Sequence, residues 1–238
     1  MLKNNLHREK KAYFITGTDT GVGKTLVACA LLQAFVKQGN NAVGMKPVAA
    51  GCVETPAGLY CEDVENLRAA GNVVASRELV NPYALISPVA PHIVAEQAGV
   101  EISLEQIDSS FRHLREMADV TVVEGVGGFI VPLNARQDTA DMAEMLGLSV
   151  ILVVGMRLGC INHALLTAQA IRHKNLRLAA WVANRIDPDM DAFDENLHAL
   201  ETRLSAPLLG IIPYQAEVNL AAASGLMDLN ILNSGKEK

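Results

Sequence analysis

The stretch FITGTDTGVGKTLVACALLQAF, residues 14–35, decides the fold. A strict phosphate-binding loop reads G-x-x-x-x-G-K-[ST], and its second half is present as Gly23-Lys24-Thr25. Thr18 stands where the first glycine belongs, and Gly17 lies one position too early. An apolar run precedes this loop and an amphipathic stretch follows it. A strand, a glycine-rich loop and a helix in this order indicate a site for nucleotide phosphates at a helix N-terminus.

Short apolar runs alternate with amphipathic stretches along the whole chain, which is typical of repeated β-α units. The predicted strands cover residues 12–16, 42–48, 120–125, 149–155, 178–184 and 207–212. We therefore expect an α/β fold, a single doubly wound domain over residues 1–238 with a mostly parallel sheet between helices, as in P-loop NTPases. Residues 1–11 and 227–238 are predicted to be loose terminal tails.

Two helices have clear signals. The first begins at the glycine-rich loop and is predicted to end at Gly39. A second begins at Ser103, which with Gln106 matches a capping box. Its predicted buried face consists of Leu104, Ile107, Phe111, Leu114 and Met117.

The composition excludes several classes of function. The formal net charge is −6 and the sequence pI is about 5.5, which argues against a general nucleic-acid binder. No apolar run approaches the roughly 18 residues of a membrane span. The four cysteines, at positions 29, 52, 61 and 160, lack metal-ligand spacing. We expect reduced thiols and a cytoplasmic protein that binds neither nucleic acid nor membrane.

Ligands in doubly wound sheets bind where the strands end, so the residues just after each strand are informative. Lys24 can reach phosphate oxygens, and the Thr25 hydroxyl can ligate Mg²⁺. Glu124 ends an apolar run. In nucleotide-hydrolysing folds an acid at this place holds Mg²⁺, and the alternative is a solvated acid at the end of a strand. Lys46 follows a strand; it contacts a γ-phosphate or a substrate carboxylate, or it is solvated. Asp63 is a third candidate ligand or one charge of an acidic helix start.

The segment from Asn184 to Asp187 reads N-R-I-D and mimics the N-K-x-D box that recognises guanine. Asn184 can bond a base edge in either case. Pro188 follows directly, so Asp187 is equally well explained as a turn residue.

Six motifs, in order, closely resemble the dethiobiotin synthetase family: GTDTGVGKT, KPVAAG, VEGVGG, LGCINHALLT, WVANR and GIIPY. The resemblance covers roughly residues 12–226. It implies a P-loop fold, a homodimer, Mg²⁺ as cofactor and ATP as co-substrate. The implied reaction joins CO₂ to 7,8-diaminopelargonic acid as a carbamate, phosphorylates the carbamate with ATP, and closes the ring of dethiobiotin.

The resemblance also assigns residues. Thr20, Lys24 and Lys46 would be catalytic, and Thr25, Asp63 and Glu124 would hold Mg²⁺. The expected nucleotide contacts are Gly21, Val22, Gly23, Lys24, Thr25, Leu26, Asp63, Glu124, Gly125, Val126, Gly127, Asn184, Arg185, Pro213, Tyr214 and Gln215. The expected substrate contacts are Thr20, Lys46, Ala50, Gly127, Gly128 and, from the second subunit, Asn162.

Ala50 departs from the family pattern, because serine usually stands there, so one substrate hydrogen bond is missing. Leu220 stands where an acidic residue is expected near adenine. Three alternatives stay open. A partition-type switch ATPase would carry a signature lysine at Asp19. A cobyrinic-acid-type amidotransferase would need a glutaminase domain, for which 238 residues leave no room. A nucleotide binder without turnover is the third.

Overall fold

A computed structural model describes residues 10–56, 58–215 and 219–233 of the chain. The strands are β1 (Lys11–Gly17), β2 (Ala42–Met45), β3 (Val48–Ala50), β4 (Val53–Thr55), β5 (Gly58–Tyr60), β6 (Tyr83–Leu85), β7 (Val120–Glu124), β8 (Ser149–Met156), β9 (Leu178–Arg185) and β10 (Leu208–Ile212). The helices are α1 (Lys24–Lys37), α2 (Glu62–Ala70), α3 (Arg77–Val80), α4 (Pro91–Gln97), α5 (Leu104–Met117), α6 (Thr139–Met145), α7 (Cys160–His173), α8 (Phe193–Arg203), α9 (Leu220–Gly225) and α10 (Asn230–Asn233).

Six parallel strands form the central sheet in the order β10-β9-β8-β1-β7-β2. The first strand therefore lies inside the sheet, between β7 and β8. Two small sheets, β3 with β6 and β4 with β5, lie outside it. The predicted doubly wound α/β fold is confirmed. All six predicted strands exist, each within a few residues of its expected bounds.

Apolar residues of β1 alternate between the two faces of this sheet. Tyr13 and Ile15 pack in one cluster with α1, whereas Phe14 packs in another with α5 and α6. A third cluster, around Trp181, lies beneath α7 and α8. Helices on both faces explain why the strands are almost wholly apolar, since neither face meets water.

The second strand is shorter than predicted. It ends at Met45, and the Lys46 backbone N–H donates to the Val80 carbonyl instead of to the sheet, at 2.8 Å. Pro47 has no N–H for the ladder, so the chain leaves the sheet edge there. Val48–Ala50 pairs with β6 instead, in the small parallel sheet.

At the N-terminus of α5, one of the two hydrogen bonds of the predicted capping box is present. The Ser103 hydroxyl accepts from the Gln106 N–H at 3.3 Å. The return bond runs through Tyr83, whose hydroxyl accepts from the Ser103 N–H and donates to the Gln106 side chain, both at 2.9 Å. The prediction that Met117 is buried is wrong. Its side chain is 43% exposed, because the last turn of α5 extends beyond the residues that cover the rest of the helix.

Both expected tails are shorter than predicted. Lys11 already belongs to β1, and Lys10 donates to carbonyls at the end of α5. At the other end Met227 and Leu229 are buried, and the Asp228 N–H donates to the Leu209 carbonyl at 2.9 Å. The C-terminal segment is held in place because the side chains of Met227 and Leu229 reach the core. Residues 1–9 and 234–238 lie outside the described residues.

Gly210 permits the C-terminal segment to lie against β10. A Cβ there would be 2.5 Å from the Leu226 carbonyl oxygen, a distance that no real Cβ tolerates. In the part of the chain that the structure describes, no helix is both long and apolar enough to cross a membrane.

Candidate active site

One cavity of about 760 Å³ lies at the carboxyl ends of β1, β2 and β7. This edge of the sheet is where doubly wound folds bind their ligands. The lining residues are Asp19, Thr20, Gly21, Gly23, Lys24, Thr25, Lys46, Ala50, Asp63, Pro88, Val89, Ala90, Pro91, Glu124, Val126, Gly127, Gly128 and Val131. Twelve of the expected site residues, Ala50, Val126 and Gly128 among them, therefore share one space.

The loop between β1 and α1 is held by two left-handed glycines. Gly21 has φ +73° and Gly23 has φ +91°, and other residues rarely adopt such angles. Lys24 is only 7% exposed, and its ammonium donates to the Asp19 carbonyl at 2.8 Å. Burial lowers the pKa of Lys24 to about 8, although the nearby charge of Glu124 opposes the shift. The loop thus buries a cation where phosphates would lie.

A compact ionic cluster joins four elements at the cavity wall. The Lys46 ammonium lies 2.7 Å from Glu124 Oε1 and 2.6 Å from Asp63 Oδ2. Glu124 Oε1 also accepts from the Thr25 hydroxyl at 2.8 Å. The ends of β2 and β7 and the starts of α1 and α2 meet here. The residues Thr25, Lys46, Asp63 and Glu124, called the acid–lysine cluster below, are therefore brought together by the fold.

Burial and charge oppose each other in this cluster: burial raises the pKa of Glu124 although the Lys46 charge acts to lower it. Burial alone would lower the pKa of Lys46, but the charges of Glu124 and Asp63 outweigh it and hold that pKa above its usual value. Burial acts to raise the pKa of Asp63, and the Lys46 charge overrides it and lowers the pKa. The Lys46 ammonium and the Asp63 carboxylate are therefore both ionised at neutral pH.

The cluster has the donor chemistry that Mg²⁺ takes in nucleotide enzymes. Glu124 Oε2 is buried and has no hydrogen-bond partner, so one carboxylate oxygen is free for another ligand. With the Asp63 carboxylate and the Thr25 hydroxyl it makes an all-oxygen set. Among the described residues no group of three or more His, Cys, Asp or Glu side chains could hold a metal ion. A site of this kind therefore needs phosphate and water oxygens to complete it.

The segment after β7 approaches the β1–α1 loop closely. A Cβ at Gly125 would meet Phe14 Cζ at 2.9 Å, and Gly127 has φ +64°. A Cβ at Gly127 would lie 3.7 Å from Thr20 Oγ1. The small residues let the backbone form the cavity wall opposite Thr20.

Asn184 ties the end of β9 to the phosphate-binding loop, because its Nδ2 donates to the Val22 carbonyl at 2.8 Å. Arg185 turns away: its guanidinium donates to the carbonyls of Asp187 and Pro188 and lies 5.0 Å from the centre of the Phe193 ring. The Asp187 carboxylate accepts from the Asp189 N–H at 3.0 Å, as a turn residue does.

Comparison with known proteins shows the family of this chain. Residues 11–222 match the family described as an AAA domain. The ATP-dependent dethiobiotin synthetase of Nitrosospira multiformis is 57% identical over 219 residues, which cover 92% of this chain and 95% of that protein. The chain belongs to the dethiobiotin synthetase family. The enzyme of the same name from Aromatoleum aromaticum is 54% identical over 93% of this chain and 98% of its own.

Solved structures resemble the dethiobiotin synthetase chain in fold alone. The MinD cell division protein of Aquifex aeolicus has a TM-score of 0.55 at 16% identity and covers 90% of this chain and 85% of its own. MinD of Pyrococcus horikoshii, solved with Mg-ADP, has a TM-score of 0.55 at 13% identity, with 95% and 90% covered. The P-loop NTPase architecture is thus shared well outside the synthetase family.

Not every residue expected from the dethiobiotin synthetase pattern lies in the cavity of this chain. Asn162 is exposed on α7, and Leu26 faces a neighbouring cavity between α1 and α2. Pro213 and Tyr214 are exposed after β10, and the Gln215 side chain accepts from the Asn219 N–H at 2.7 Å. Residues 216–218, which follow them, lie outside the described part.

Two features of this chain near the site were missed in the sequence analysis. Arg157 lies just after β8, and its guanidinium is 2.6 Å from the Asp19 carboxylate. It follows a strand at the same sheet edge, so the strand-end rule would have found it. Residues 88–91 form a cavity wall from a Pro-rich loop, for which the sequence offers no comparable signal.

Proposed function

We propose that this chain is an ATP-dependent cyclo-ligase of biotin synthesis. It joins CO₂ to 7,8-diaminopelargonic acid and yields dethiobiotin, ADP and phosphate. One observation carries the proposal: proteins named as ATP-dependent dethiobiotin synthetases are 57% and 54% identical over nearly their whole length. The cavity beside the phosphate-binding loop supplies the cations and oxygen ligands that phosphoryl transfer needs.

The reaction places negative charge between two lysines. An amine of the diamine adds CO₂ to give a carbamate, whose oxygen attacks the γ-phosphate and releases ADP. The second amine then attacks the carbonyl of the mixed anhydride, closes the cyclic urea and releases phosphate. Lys24 and Lys46 both line the cavity, so their ammonium groups would balance the charge that develops on the transferred group. Thr20, opposite Gly127, would hold the carbamate.

Thr25, Asp63 and Glu124 would hold Mg²⁺ together with the nucleotide phosphates. When bound, the ion neutralises charge on the phosphate oxygens. The protein's own contribution is to fix these three donors on a helix N-terminus, a second helix and a buried strand end. The unpartnered Oε2 of Glu124 supports this assignment.

The remaining nucleotide contacts would surround the phosphates and the base. The β1–α1 loop from Gly21 to Leu26 and the segment from Glu124 to Gly127 would meet the phosphates and ribose. Asn184, already bonded to that loop, would meet adenine, with Arg185 beside it. Pro213, Tyr214 and Gln215 would enclose the base from the other side.

The substrate would lie between Lys46, Ala50, Gly127 and Gly128, and a second copy of the chain would complete its site through Asn162. Two observations support a homodimer. Asn162 is exposed and outside the cavity of its own chain. Leu158, just before α7, and Leu166, midway along it, are 94% and 57% exposed, and a second copy of the chain would cover them.

A cytoplasmic location and a single domain are also part of the proposal. The four cysteines are free thiols, as in a reducing compartment. One central sheet contains both the first strand, β1, and the last, β10.

The deciding experiment measures phosphate release from Mg-ATP and bicarbonate, with and without 7,8-diaminopelargonic acid, and identifies the product by mass. We expect release that depends on the diamine, with dethiobiotin formed. Release that ignores the diamine would refute the synthetase and favour a switch ATPase. Nucleotide binding without release would favour the binder that has lost turnover.

A further inference from the structure

The acid–lysine cluster already contains a cation, the ammonium of Lys46. It lies at 2.7 Å from Glu124 Oε1 and at 2.6 Å from Asp63 Oδ2. The side chain of Lys46 is 6% exposed and that of Glu124 is 1% exposed, so this ion pair is shielded from water and salt. The ammonium therefore neutralises one of the two negative charges that Mg²⁺ would use.

Two cations on the same pair of carboxylates repel each other strongly, even though Glu124 Oε2 does not contact the ammonium. Mg²⁺ lies about 2.1 Å from its oxygen ligands. An ammonium at 2.7 Å from Glu124 Oε1 and an ion on the unpartnered Oε2 of the same buried carboxylate would be only a few ångströms apart, where water screens their repulsion weakly. Mg²⁺ and the Lys46 ammonium are therefore competitors for the acid pair.

The Lys46 side chain has room to leave. Its backbone is fixed by the bond from its N–H to the Val80 carbonyl, whereas its four-carbon stem ends at the cavity. Lys24 and the β1–α1 loop line the same cavity, so a bound phosphate chain would lie within reach. An anion there offers the ammonium a second partner, and departure from the acids then costs less.

We propose that Lys46 is the resident counter-ion of Asp63 and Glu124, and that it makes metal binding depend on an anionic ligand in the cavity. Without a nucleotide, the ammonium excludes divalent cations from the acid pair. A bound phosphate draws the ammonium away and leaves the Asp63 and Glu124 carboxylates free to hold Mg²⁺. Lys46 is thus a positioning residue for the metal, in addition to its proposed contact with the reacting groups. This inference rests on the proposed Mg²⁺ site.

The test measures Mn²⁺ binding without nucleotide, by calorimetry and by the electron paramagnetic resonance of the free ion. We expect weak binding to the wild type and a gain of about tenfold or more in Lys46→Gln, a coupling of ordinary size between two sites. Lys24→Gln is the matched control: it removes the same charge from the same cavity, but its ammonium donates to a carbonyl and not to the acids. Its gain should be clearly smaller.

A second pair of measurements locates the ion and guards against misfolding. Adding Glu124→Gln to Lys46→Gln should abolish the gained Mn²⁺ binding. Lys46→Met, which keeps the apolar stem, serves if thermal unfolding shows that Lys46→Gln is not folded.

The outcomes separate the two proposals. If the Mn²⁺ affinity is unchanged in folded Lys46 variants, or is raised equally in Lys24→Gln, the counter-ion role is overturned. The proposed metal site still stands in that case if the wild type binds Mn²⁺ in the presence of ATP. Absence of Mn²⁺ from every form, even with ATP, overturns both.

Discussion

Asp19 and Arg157 join two loops that follow neighbouring strands of the sheet. The Asp19 carboxylate accepts from the Thr20 N–H at 2.7 Å and lies 2.6 Å from the Arg157 guanidinium. The loop that would hold the phosphates is thereby tied to the loop that leads from β8 into α7. Asp19 also stands where a partition-type switch ATPase would carry its signature lysine, so the position serves a different purpose here.

Arg157→Ala tests this tie. Both side chains are almost half exposed, so we expect the free energy of unfolding to fall by less than about 1 kcal/mol. The KM for ATP should nevertheless rise several-fold, because the β1–α1 loop loses its lateral support. Steady-state kinetics and chemical denaturation measure the two effects. Arg112→Ala, which breaks an ion pair with Asp108 on α5, is the control and should leave KM unchanged. An equal KM in both variants would contradict the role of Arg157.

Asp63→Asn tests the proposed metal ligand. It keeps the shape of the side chain and removes the charge, so we expect kcat to fall by about 100-fold and the Mg²⁺ concentration for half activation to rise. Phosphate release at graded Mg²⁺ concentrations measures both. Glu62→Gln alters the adjacent, exposed acid of α2 and should change neither. If both variants respond alike, the general charge of α2 matters and not ligation by Asp63.

Lys24 should make stability depend on pH. Its pKa is about 8 in the folded chain and 10.5 when exposed, so from pH 8 to 10.5 the unfolded chain binds more protons. The free energy of unfolding therefore gains a contribution that rises with pH across this window. Lys24→Met should be more stable than the wild type by about 3 kcal/mol at pH 7, and the gap should close towards pH 10.5.

Denaturation in urea at several pH values measures this gap. The control is Lys174→Met, because Asp141 and Glu144 hold the pKa of Lys174 above its usual value. Its difference from the wild type should not narrow between pH 8 and pH 10. A gap for Lys24→Met that stays constant over that range would show that Lys24 keeps an ordinary pKa.

Gly210→Ala tests the packing of the C-terminal segment on β10. The new Cβ would overlap the Leu226 carbonyl, so we expect a loss of about 1–3 kcal/mol in the free energy of unfolding. Gly225→Ala is the matched control, because a Cβ there meets nothing within 4 Å and alanine suits the end of α9. It should be neutral or slightly stabilising. If both variants lose the same amount of unfolding free energy, the contact between the new Cβ at position 210 and the Leu226 carbonyl has no specific effect on stability.

Much of the site was predictable because the strand-end rule needs only the order of elements. Lys24, Thr25, Lys46 and Glu124 follow strands or open a helix, and the structure brings all four together. Asp63 was ambiguous in sequence, since an acidic helix start looks the same whether or not it faces a site. Its contact with Lys46 depends on how α2 packs, which local pattern does not encode.

Other features depended on long-range packing and were missed or wrong. The strand predicted over 42–48 divides at Pro47. The part after Pro47 pairs with β6, where Val48 lies opposite Tyr83, 35 residues later in the sequence. Met117 continues the apolar period of α5, but the helix ends beyond the layer that would cover it. The segment from residue 227 onward, predicted as a loose tail, has apolar residues at alternate positions. The pattern is too short for hydropathy alone to tell a packed segment from a loose one.

The segment from Leu208 to Leu229 is fixed at both ends. β10 anchors its start, and Met227 and Leu229 anchor its end in the core. Pro213–Gln215, proposed to enclose adenine, lies between these anchors, so its reach towards the cavity is set by the length of chain between them. Occupancy of the nucleotide site and protection of the backbone amides of Met227 and Leu229 from hydrogen exchange should therefore rise and fall together.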